Sequence, residues 1–440
     1  MGGEGARRRP PPPLEEALSL AGPEGTRSAE LFARAQKVLV GGVNSPVRAM
    51  RSIGRDPLFI ARAEGPYVWD VDGNRYVDFL STWGPAILGH TAEAVVRAVE
   101  RALPLGTSYG APTEREVLFA ETICDAVPSV EQLRMTSSGS EAVMGALRLA
   151  RAATGRETIV KVAGGYHGAI DGLLAQAGSG LTTLGVPASA GVTAAATAAT
   201  HIVPFNDAAA AEVALEGAAA LIVEPVAGNM GVVPPDDGYL AALRAACDRT
   251  GALLIIDEVI TGFRVARGGA QERYRVRADI TCFGKIIGGG LPVGAFGGPR
   301  AVMRELAPEG PCYQGGTLSG NPLATAAGLA VLGELAREGV YERLEASGAA
   351  LEDAVRASGA PVHVNRVGSM LTPFFTHGPV RDYADATRSG TDAYGRFARA
   401  LLAEGVYPPP SQFEAWFTGL THGDEELAFA RTALARAAQA

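Results

Sequence analysis

Hydrophobic residues change their spacing several times along the chain, and each change predicts a different kind of element. Residues 29–39 repeat at helical spacing and end before a pair of glycines, as at the C-terminus of a helix. Between residues 67 and 80, apolar and polar residues alternate on both sides of an Asp-Gly pair at 72–73. That pattern is typical of a β-hairpin with a tight turn. The first eighty residues therefore predict a helix followed by a short antiparallel pair of strands.

From about residue 112 onwards, short apolar runs alternate with helical stretches. This alternation predicts an α/β fold with right-handed βαβ units and a mainly parallel central sheet that is buried on both faces. The apolar runs are 133–136, 158–162, 220–223, 253–257 and 280–283, and the helical stretches include 141–153 and 239–250. Beyond residue 322, long helices rich in Ala, Leu, Glu and Arg, a strand-like stretch at 361–376 and two further helices predict a smaller α+β domain.

The chain is expected to divide into four parts. These are a disordered tail at 1–28, an N-terminal segment at 29–82, a large domain at 83–327 and a small C-terminal domain at 328–440. The tail carries three consecutive arginines and a proline run but lacks the apolar core of a signal peptide. A fragment of a transit sequence would explain it, but a frayed end is preferred. Residues 178–200 are rich in Gly, Ala, Ser and Thr, and their length favours a functional lid over a solvated linker.

Composition narrows the possible functions. The 440 residues include 39 basic and 47 acidic side chains, giving a formal charge of −8 without a dense basic run, which argues against binding to nucleic acid or to anionic membranes. Four scattered cysteines show no metal-binding spacing and suit the reducing cytoplasm. No stretch is apolar for long enough to span a bilayer. The lysines are few, so a reaction that needs an amine has three candidates: Lys37, Lys161 and Lys285.

Two charged residues follow apolar strands in the central region. Lys285 comes directly before a segment with three consecutive glycines, where the backbone can approach a ligand closely. Asp257 ends another apolar strand, where a buried acid is costly unless it has a cationic partner. A plain loop and an acid that caps the next turn would explain each feature taken alone.

Two further segments add polar and aromatic groups. Residues 136–140 carry small hydroxyl side chains just before a helix, where free N–H groups and the helix dipole suit a phosphate. A simple N-cap explains the same pattern, and both interpretations are compatible. In the glycine-rich segment 163–168, Tyr166 offers a flat ring face, while His167 is either a base or a structural residue.

These four features together are the set that pyridoxal phosphate requires. A lysine holds the cofactor aldehyde as a Schiff base, and an acid keeps the pyridine nitrogen protonated so that the ring accepts electrons. A helix N-terminus takes the phosphate, and an aromatic ring stacks on the pyridine. The combination favours a pyridoxal-phosphate enzyme over the separate structural explanations.

The chain also resembles a known family. From about residue 39 to residue 434 it is similar to the class III aminotransferases of fold type I, and within them to the aminomutase branch. The lysine and acid segments are shared across class III, whereas Asn-Ser-Pro-Val-Arg, Trp83-Gly-Pro and Ser-Gln-Phe-Glu-Ala are characteristic of the branch. The strings that carry the resemblance lie at 41–48, 257–264, 284–295, 316–324 and 411–415.

The resemblance implies roles for individual residues. Lys285 would bind the cofactor aldehyde, Asp257 would pair with the pyridinium and Tyr166 would stack on the ring. The other cofactor-binding residues would be Ser138, Gly139, Ser140, Asn229 and, from the neighbouring subunit of a homodimer, Thr317. The substrate would contact Ser45, Arg48, Trp83 and Ser179, and Glu414 would tune Lys285.

The activity implied by the resemblance is an exchange of nitrogen within one small amino-aldehyde. The branch converts (S)-4-amino-5-oxopentanoate, or glutamate 1-semialdehyde, into the tetrapyrrole precursor 5-aminolevulinate through 4,5-diaminovalerate. The cofactor would alternate between pyridoxal and pyridoxamine phosphate, and a lid around Ser179 would retain the intermediate. Two alternatives are an intermolecular transaminase for a β- or ω-amino acid and a catalytically dead homologue that acts as a binding dimer.

Overall fold

The structure is a computed structural model that describes residues 26–175 and 189–440. A seven-stranded sheet forms the centre of the described residues, in the order β4-β10-β9-β8-β7-β5-β6. Neighbouring strands from β9 to β6 run parallel, whereas β10 is antiparallel to both β4 and β9. Its strands are β4 (Gln132–Thr136), β5 (Ile159–Val162), β6 (Thr200–Val203), β7 (Ala220–Val223), β8 (Leu253–Asp257), β9 (Ile280–Phe283) and β10 (Gly294–Gly298). The expected mainly parallel sheet is confirmed.

The central strands have the composition of a doubly covered sheet. Every residue of β5, β7 and β9 is buried, which explains why their sequences are continuous apolar runs rather than alternating ones. Helices cover both faces of the sheet. The helices from the start of the described chain to the end of the sheet region are α1 (Thr26–Ala35), α2 (Glu93–Ala102), α3 (Glu114–Ala126), α4 (Gly139–Thr154), α5 (Ala194–Thr197), α6 (Ala208–Ala214), α7 (Tyr239–Thr250), α8 (Gly269–Tyr274) and α9 (Arg300–Met303).

The two ends of the chain meet in a smaller α+β region. The hairpin predicted around residues 72–73 forms as β2 and β3, and β13 from near the C-terminus adds to it in parallel. Strands β11, β12 and β14 form a separate antiparallel sheet. These strands are β1 (Ile60–Glu64), β2 (Tyr67–Asp70), β3 (Arg75–Asp78), β11 (His363–Val367), β12 (Met370–Phe374), β13 (Val406–Tyr407) and β14 (Trp416–Phe417). The helices are α10 (Pro322–Leu335), α11 (Val340–Ala357), α12 (Tyr383–Thr387), α13 (Thr391–Ala403) and α14 (Asp424–Ala437).

Several boundaries differ from the sequence expectation. Helix α1 begins at Thr26, inside the stretch assigned to the tail, and ends at Ala35 because residues 36–39 continue as turns. The strand-like stretch 361–376 is a hairpin, and three helices rather than two follow it. Short 3-10 turns link the elements at Val40–Gly42, Pro46–Ala49, Arg51–Ile53, Ser81–Trp83, Leu103–Leu105, Asp171–Leu173 and Lys285–Gly288. The domain limits at 83 and 327 remain a prediction. In the described ranges, no helix is long and apolar enough to cross a membrane.

Candidate active site

The parallel strands place the predicted side chains at one edge of the sheet. Asp257 is the last residue of β8, Lys285 comes two residues after β9, and Tyr166 lies four residues after β5. Because the carboxyl ends of parallel strands meet at the same edge, the three side chains converge there. They line a cavity of about 180 Å³ together with Gly139, Ser140, Val143, His167, Gly168, Glu224, Asn229, Val259 and Ile260.

Asp257 is oriented by a histidine. One carboxylate oxygen lies 2.7 Å from Nδ1 of His167, and the other accepts a hydrogen bond from the Val259 N–H at 3.0 Å. Both side chains are buried, with 4% of Asp257 and 1% of His167 exposed. His167 Nε2 has no hydrogen-bond partner among the described residues. His167 therefore holds Asp257 in place, which is a positioning contact.

Glu224 is a buried acid that the sequence analysis missed. It follows β7 as Asp257 closes β8, so the same signal, an acid at the end of an apolar strand, would have found it. Oε1 accepts a hydrogen bond from the Tyr166 N–H at 2.9 Å, and Oε2 accepts from the Asn229 side-chain amide at 3.0 Å and from the Gly228 N–H at 2.8 Å. Burial raises the pKa of Glu224, although His167 nearby opposes the shift. Glu224 thus orients two predicted cofactor ligands.

Lys285 occupies an unusual backbone position with its side chain in the cavity. Its φ of 48° lies in the left-handed region, which a residue with a Cβ adopts at some cost in energy. Burial lowers the pKa of its amine, while the carboxylates of Asp257, Glu224 and Glu414 act in the opposite direction. A lowered pKa gives a larger fraction of neutral amine near pH 7, and the neutral form is the nucleophile.

A helix N-terminus forms part of the cavity wall. Ser138 caps α4 by accepting a hydrogen bond from the Glu141 N–H at 3.2 Å, and Gly139 and Ser140 line the cavity. Gly168 packs against this turn so closely that an added Cβ would lie 2.6 Å from the Ser140 Cα. The side chain of Ser138 therefore serves as an N-cap, while the first turn of the helix presents its N–H groups to the cavity.

A second cavity of about 310 Å³ shares Tyr166, Asn229, Ile260 and Lys285 with the first. It brings together the predicted substrate residues Ser45, Arg48 and Trp83 with Glu414, although these lie more than 300 positions apart in the chain. The guanidinium of Arg48 lies 5.5 Å from the centroid of the Trp83 ring. The remaining wall residues are Pro46, Val47, Ala169, Leu174, Gly228 and Phe417.

Two predicted residues lie elsewhere. Thr317 is on an exposed turn and lines neither of these two cavities. That location agrees with a role in a neighbouring subunit but does not test it. Ser179, and with it the centre of the predicted lid, lies outside the described residues.

The polar groups around the first cavity fit pyridoxal phosphate. The start of α4 offers N–H groups to a phosphate, and the paired Asp257 offers a carboxylate to a protonated pyridine nitrogen. The amide of Asn229 can bond a ring hydroxyl, and Lys285 supplies an amine to the same space. The donor and acceptor set therefore matches the phosphate, the ring nitrogen, the hydroxyl and the aldehyde of this cofactor.

Comparison with known proteins agrees with this geometry. The family model described as aminotransferase class III matches residues 50–407. The chain belongs to this family. It is 57% identical over 410 residues to a glutamate-1-semialdehyde 2,1-aminomutase of Pelotomaculum thermopropionicum, which covers 91% of the chain and 94% of the relative. A relative of the same name from Sorangium cellulosum is 54% identical over 408 residues, covering 91% of the chain and 93% of the relative.

Solved structures of the family share the fold. An omega-transaminase from Sphaerobacter thermophilus superposes with a TM-score of 0.87 and 33% identity, covering 95% of this chain and 98% of that one. A glutamate-1-semialdehyde aminomutase from Pseudomonas aeruginosa in complex with PMP superposes with a TM-score of 0.83 and 29% identity, covering 96% and 95%. These matches confirm the predicted fold-type-I architecture.

Proposed function

We propose that this chain is a pyridoxal-phosphate-dependent glutamate-1-semialdehyde 2,1-aminomutase, which forms 5-aminolevulinate for tetrapyrrole synthesis. The observation that carries the proposal is the composition of the second cavity. It brings Arg48 and Trp83 beside Lys285 and Glu414, in a chain 57% identical to a relative of that name. Arginine binds a carboxylate through paired, charge-assisted hydrogen bonds, and the substrate carries a carboxylate at the end opposite its aldehyde.

The residues act on the substrate and cofactor in distinct ways. Pyridoxal phosphate, when bound, supplies an electron sink for the substrate carbon that loses its proton. Asp257, held by His167, would keep a proton on the pyridine nitrogen, and the first turn of α4 would hold the phosphate. Lys285 Nζ would take a proton from the substrate carbon as a base and return it as an acid, and burial favours the neutral amine that acts as the base by lowering its pKa.

On the substrate side, Arg48 and Ser45 hold the carboxylate and Trp83 covers the chain of carbons. Glu414 is 5% exposed and close enough to Lys285 to raise the pKa of its amine by Coulombic attraction. We infer that it tunes the fraction of neutral amine at that lysine. Ser179 remains a proposed contact for the retained intermediate.

The proposal includes a homodimer with shared active sites, with Thr317 reaching the partner's phosphate. It is supported by apolar side chains on the surface of the described chain, including Val40, which is 96% exposed, and Tyr313, which is 74% exposed. Burial of these side chains in a subunit interface would remove their apolar surface from water. Tyr313 and Thr317 belong to the same exposed segment. The proposed location is the cytoplasm, where the four free cysteines of the structure would stay reduced.

The deciding experiment is turnover of glutamate 1-semialdehyde by the purified protein without a second amino acid. We expect 5-aminolevulinate to accumulate, and Lys285→Ala, which lacks the amine, to form none. The omega-transaminase neighbour motivates the competing activity. If the substrate is aminated only when a second amino acid is added, the result would contradict the aminomutase activity and support an intermolecular transaminase. No reaction in either assay would favour the catalytically dead homologue.

A further inference from the structure

Lys161 is a buried lysine that the proposed reaction does not use. It lies in β5 and none of its surface is exposed. Its ammonium donates to three backbone carbonyls, those of Gly165 at 3.1 Å, Leu173 at 2.8 Å and Ala175 at 3.0 Å. An ammonium has three N–H donors, so these three acceptors satisfy all of them. Without such partners, burial of a lysine would be strongly unfavourable.

One of these bonds reaches the peptide unit that precedes the predicted stacking ring. The Gly165 carbonyl accepts from Lys161, and the N–H of the same peptide unit, that of Tyr166, donates to Glu224 at 2.9 Å. Two ionisable side chains therefore bind both sides of one peptide plane. Gly164 has a φ of 78° and Gly165 follows it, so the backbone here has more freedom than any other pair of residues would leave. The two side-chain contacts supply the constraint that the glycines do not.

The other two bonds connect Lys161 to residues further along the segment that follows β5. Residues 163–175 leave β5 and pass through the turn Asp171–Leu173, and Lys161 binds one carbonyl before this turn and two at or after it. The loop carries Tyr166, and it also carries His167, which binds Asp257. It further carries Gly168, which packs on Ser140. A single side chain thus holds together the loop that supplies one wall of the cofactor cavity.

We propose that Lys161 is a positioning residue that acts with Glu224 to orient the Gly165–Tyr166 peptide and thereby the Tyr166 ring against the cofactor. The proposal rests on the proposed use of pyridoxal phosphate. A role in packing alone would weaken cofactor binding whether or not Tyr166 is present. The positioning role predicts that Lys161 affects cofactor binding only when the Tyr166 ring is present.

The test is a double-mutant cycle on cofactor affinity. Lys161→Met keeps an unbranched side chain that is one atom shorter, and it removes the amine and its N–H donors. Titration of the apoprotein with pyridoxal phosphate is measured for wild type, Lys161→Met, Tyr166→Ala and the double variant. We expect Lys161→Met to raise the dissociation constant at least tenfold in the wild-type background and less than threefold in the Tyr166→Ala background. An equal loss in both backgrounds, or no loss at all, would overturn the proposal.

Hydrogen exchange supplies a measurement that does not depend on the cofactor or on the variants' folding. In the wild-type apoprotein, we expect the peptide that contains the Tyr166 amide to exchange slowly, because Glu224 accepts its hydrogen and Lys161 holds the adjoining carbonyl. Rapid exchange there would overturn the proposal even if every Lys161 variant failed to fold. Lys161→Met should accelerate exchange at this peptide, whereas Lys37→Met, which removes an exposed lysine, should not.

The control also separates this inference from the proposed function. Failure of wild type to bind pyridoxal phosphate would contradict the function, while the exchange pattern would still report on the Lys161 contacts. Binding by wild type with an unaltered affinity in Lys161→Met would contradict the positioning role and leave the function standing.

Discussion

Two acids with the same sequence signature have different tasks at the scale of single residues. Asp257 and Glu224 each stand at the end of a buried parallel strand. Both acids line the cavity, but Asp257 contacts the His167 ring and the Val259 N–H, whereas Glu224 accepts from the Tyr166 and Gly228 amides and from Asn229. Glu224 thus binds the two backbone amides and the Asn229 side chain that shape the cavity, and its oxygens have less capacity left for a ligand than those of Asp257.

A prediction at the scale of single residues concerns the binding of substrate by Arg48. Its guanidinium lies over Trp83 in the second cavity, where it can bind the substrate carboxylate. Arg48→Ala removes a charged contact made before and during the reaction, so we expect the KM for glutamate 1-semialdehyde to rise roughly 30-fold, equivalent to about 2 kcal/mol, while kcat changes little. Steady-state kinetics measure the two constants separately. An unchanged KM would place the carboxylate elsewhere.

At the scale of elements, the cofactor cavity depends on how a loop packs on a helix. Loop 163–175 and the first turn of α4 come so close at Gly168 that no side chain fits between them. In the sequence, the loop and the helix are separate patterns, one offering an aromatic ring and the other a phosphate site. Their mutual contact, which sets the distance between ring and phosphate positions, was not foreseen because it joins residues about 28 positions apart.

The prediction here compares two glycines of positive φ. Gly168→Ala would push on Ser140, whereas Gly155, the C-cap of α4 at φ 67°, has nothing within 4 Å of an added Cβ. Both changes introduce backbone strain of about 1 kcal/mol. We expect thermal unfolding to show a loss of stability in both variants, but titration with pyridoxal phosphate to show at least tenfold weaker binding in Gly168→Ala alone. Equal affinities in the two variants would mean that the contact with Ser140 is unimportant.

At the scale of the whole molecule, the chain ends complete the site. Strand β13 pairs in parallel with β3, with Val406 opposite Val77. The second cavity is lined by residues 45–48 from one part of the chain and by Glu414 from the other. The proposed homodimer adds a further level, because Thr317 is exposed and lies outside both cavities of its own chain. A site built from two chains would explain why this turn is on the surface.

Active-site complementation tests that arrangement. Lys285→Ala and Thr317→Glu are each expected to be inactive, the second because its charge repels the cofactor phosphate. In a hybrid dimer one of the two sites would combine an intact Lys285 with the partner's intact Thr317. When the variants are co-expressed in equal amounts, half of the dimers are hybrids, so we expect about a quarter of wild-type activity. Activity no higher than that of the separate variants would show that Thr317 does not act across subunits.

The sequence by itself determined the fold class and predicted Asp257, Lys285 and Tyr166, which the structure brings to one cavity. Buried parallel strands are continuous apolar runs, and functional groups stand directly after them, so Asp257, Lys285 and Tyr166 were visible as local patterns. The scarcity of lysine narrowed the amine to three candidates. Only the tertiary structure decided what the other charged groups do. Lys161 in a strand gives no local sign of three carbonyl partners, and Glu224 gives none of its hold on Tyr166 and Asn229. Such contacts depend on which loops return to a strand, and that is set by the packing of the whole chain.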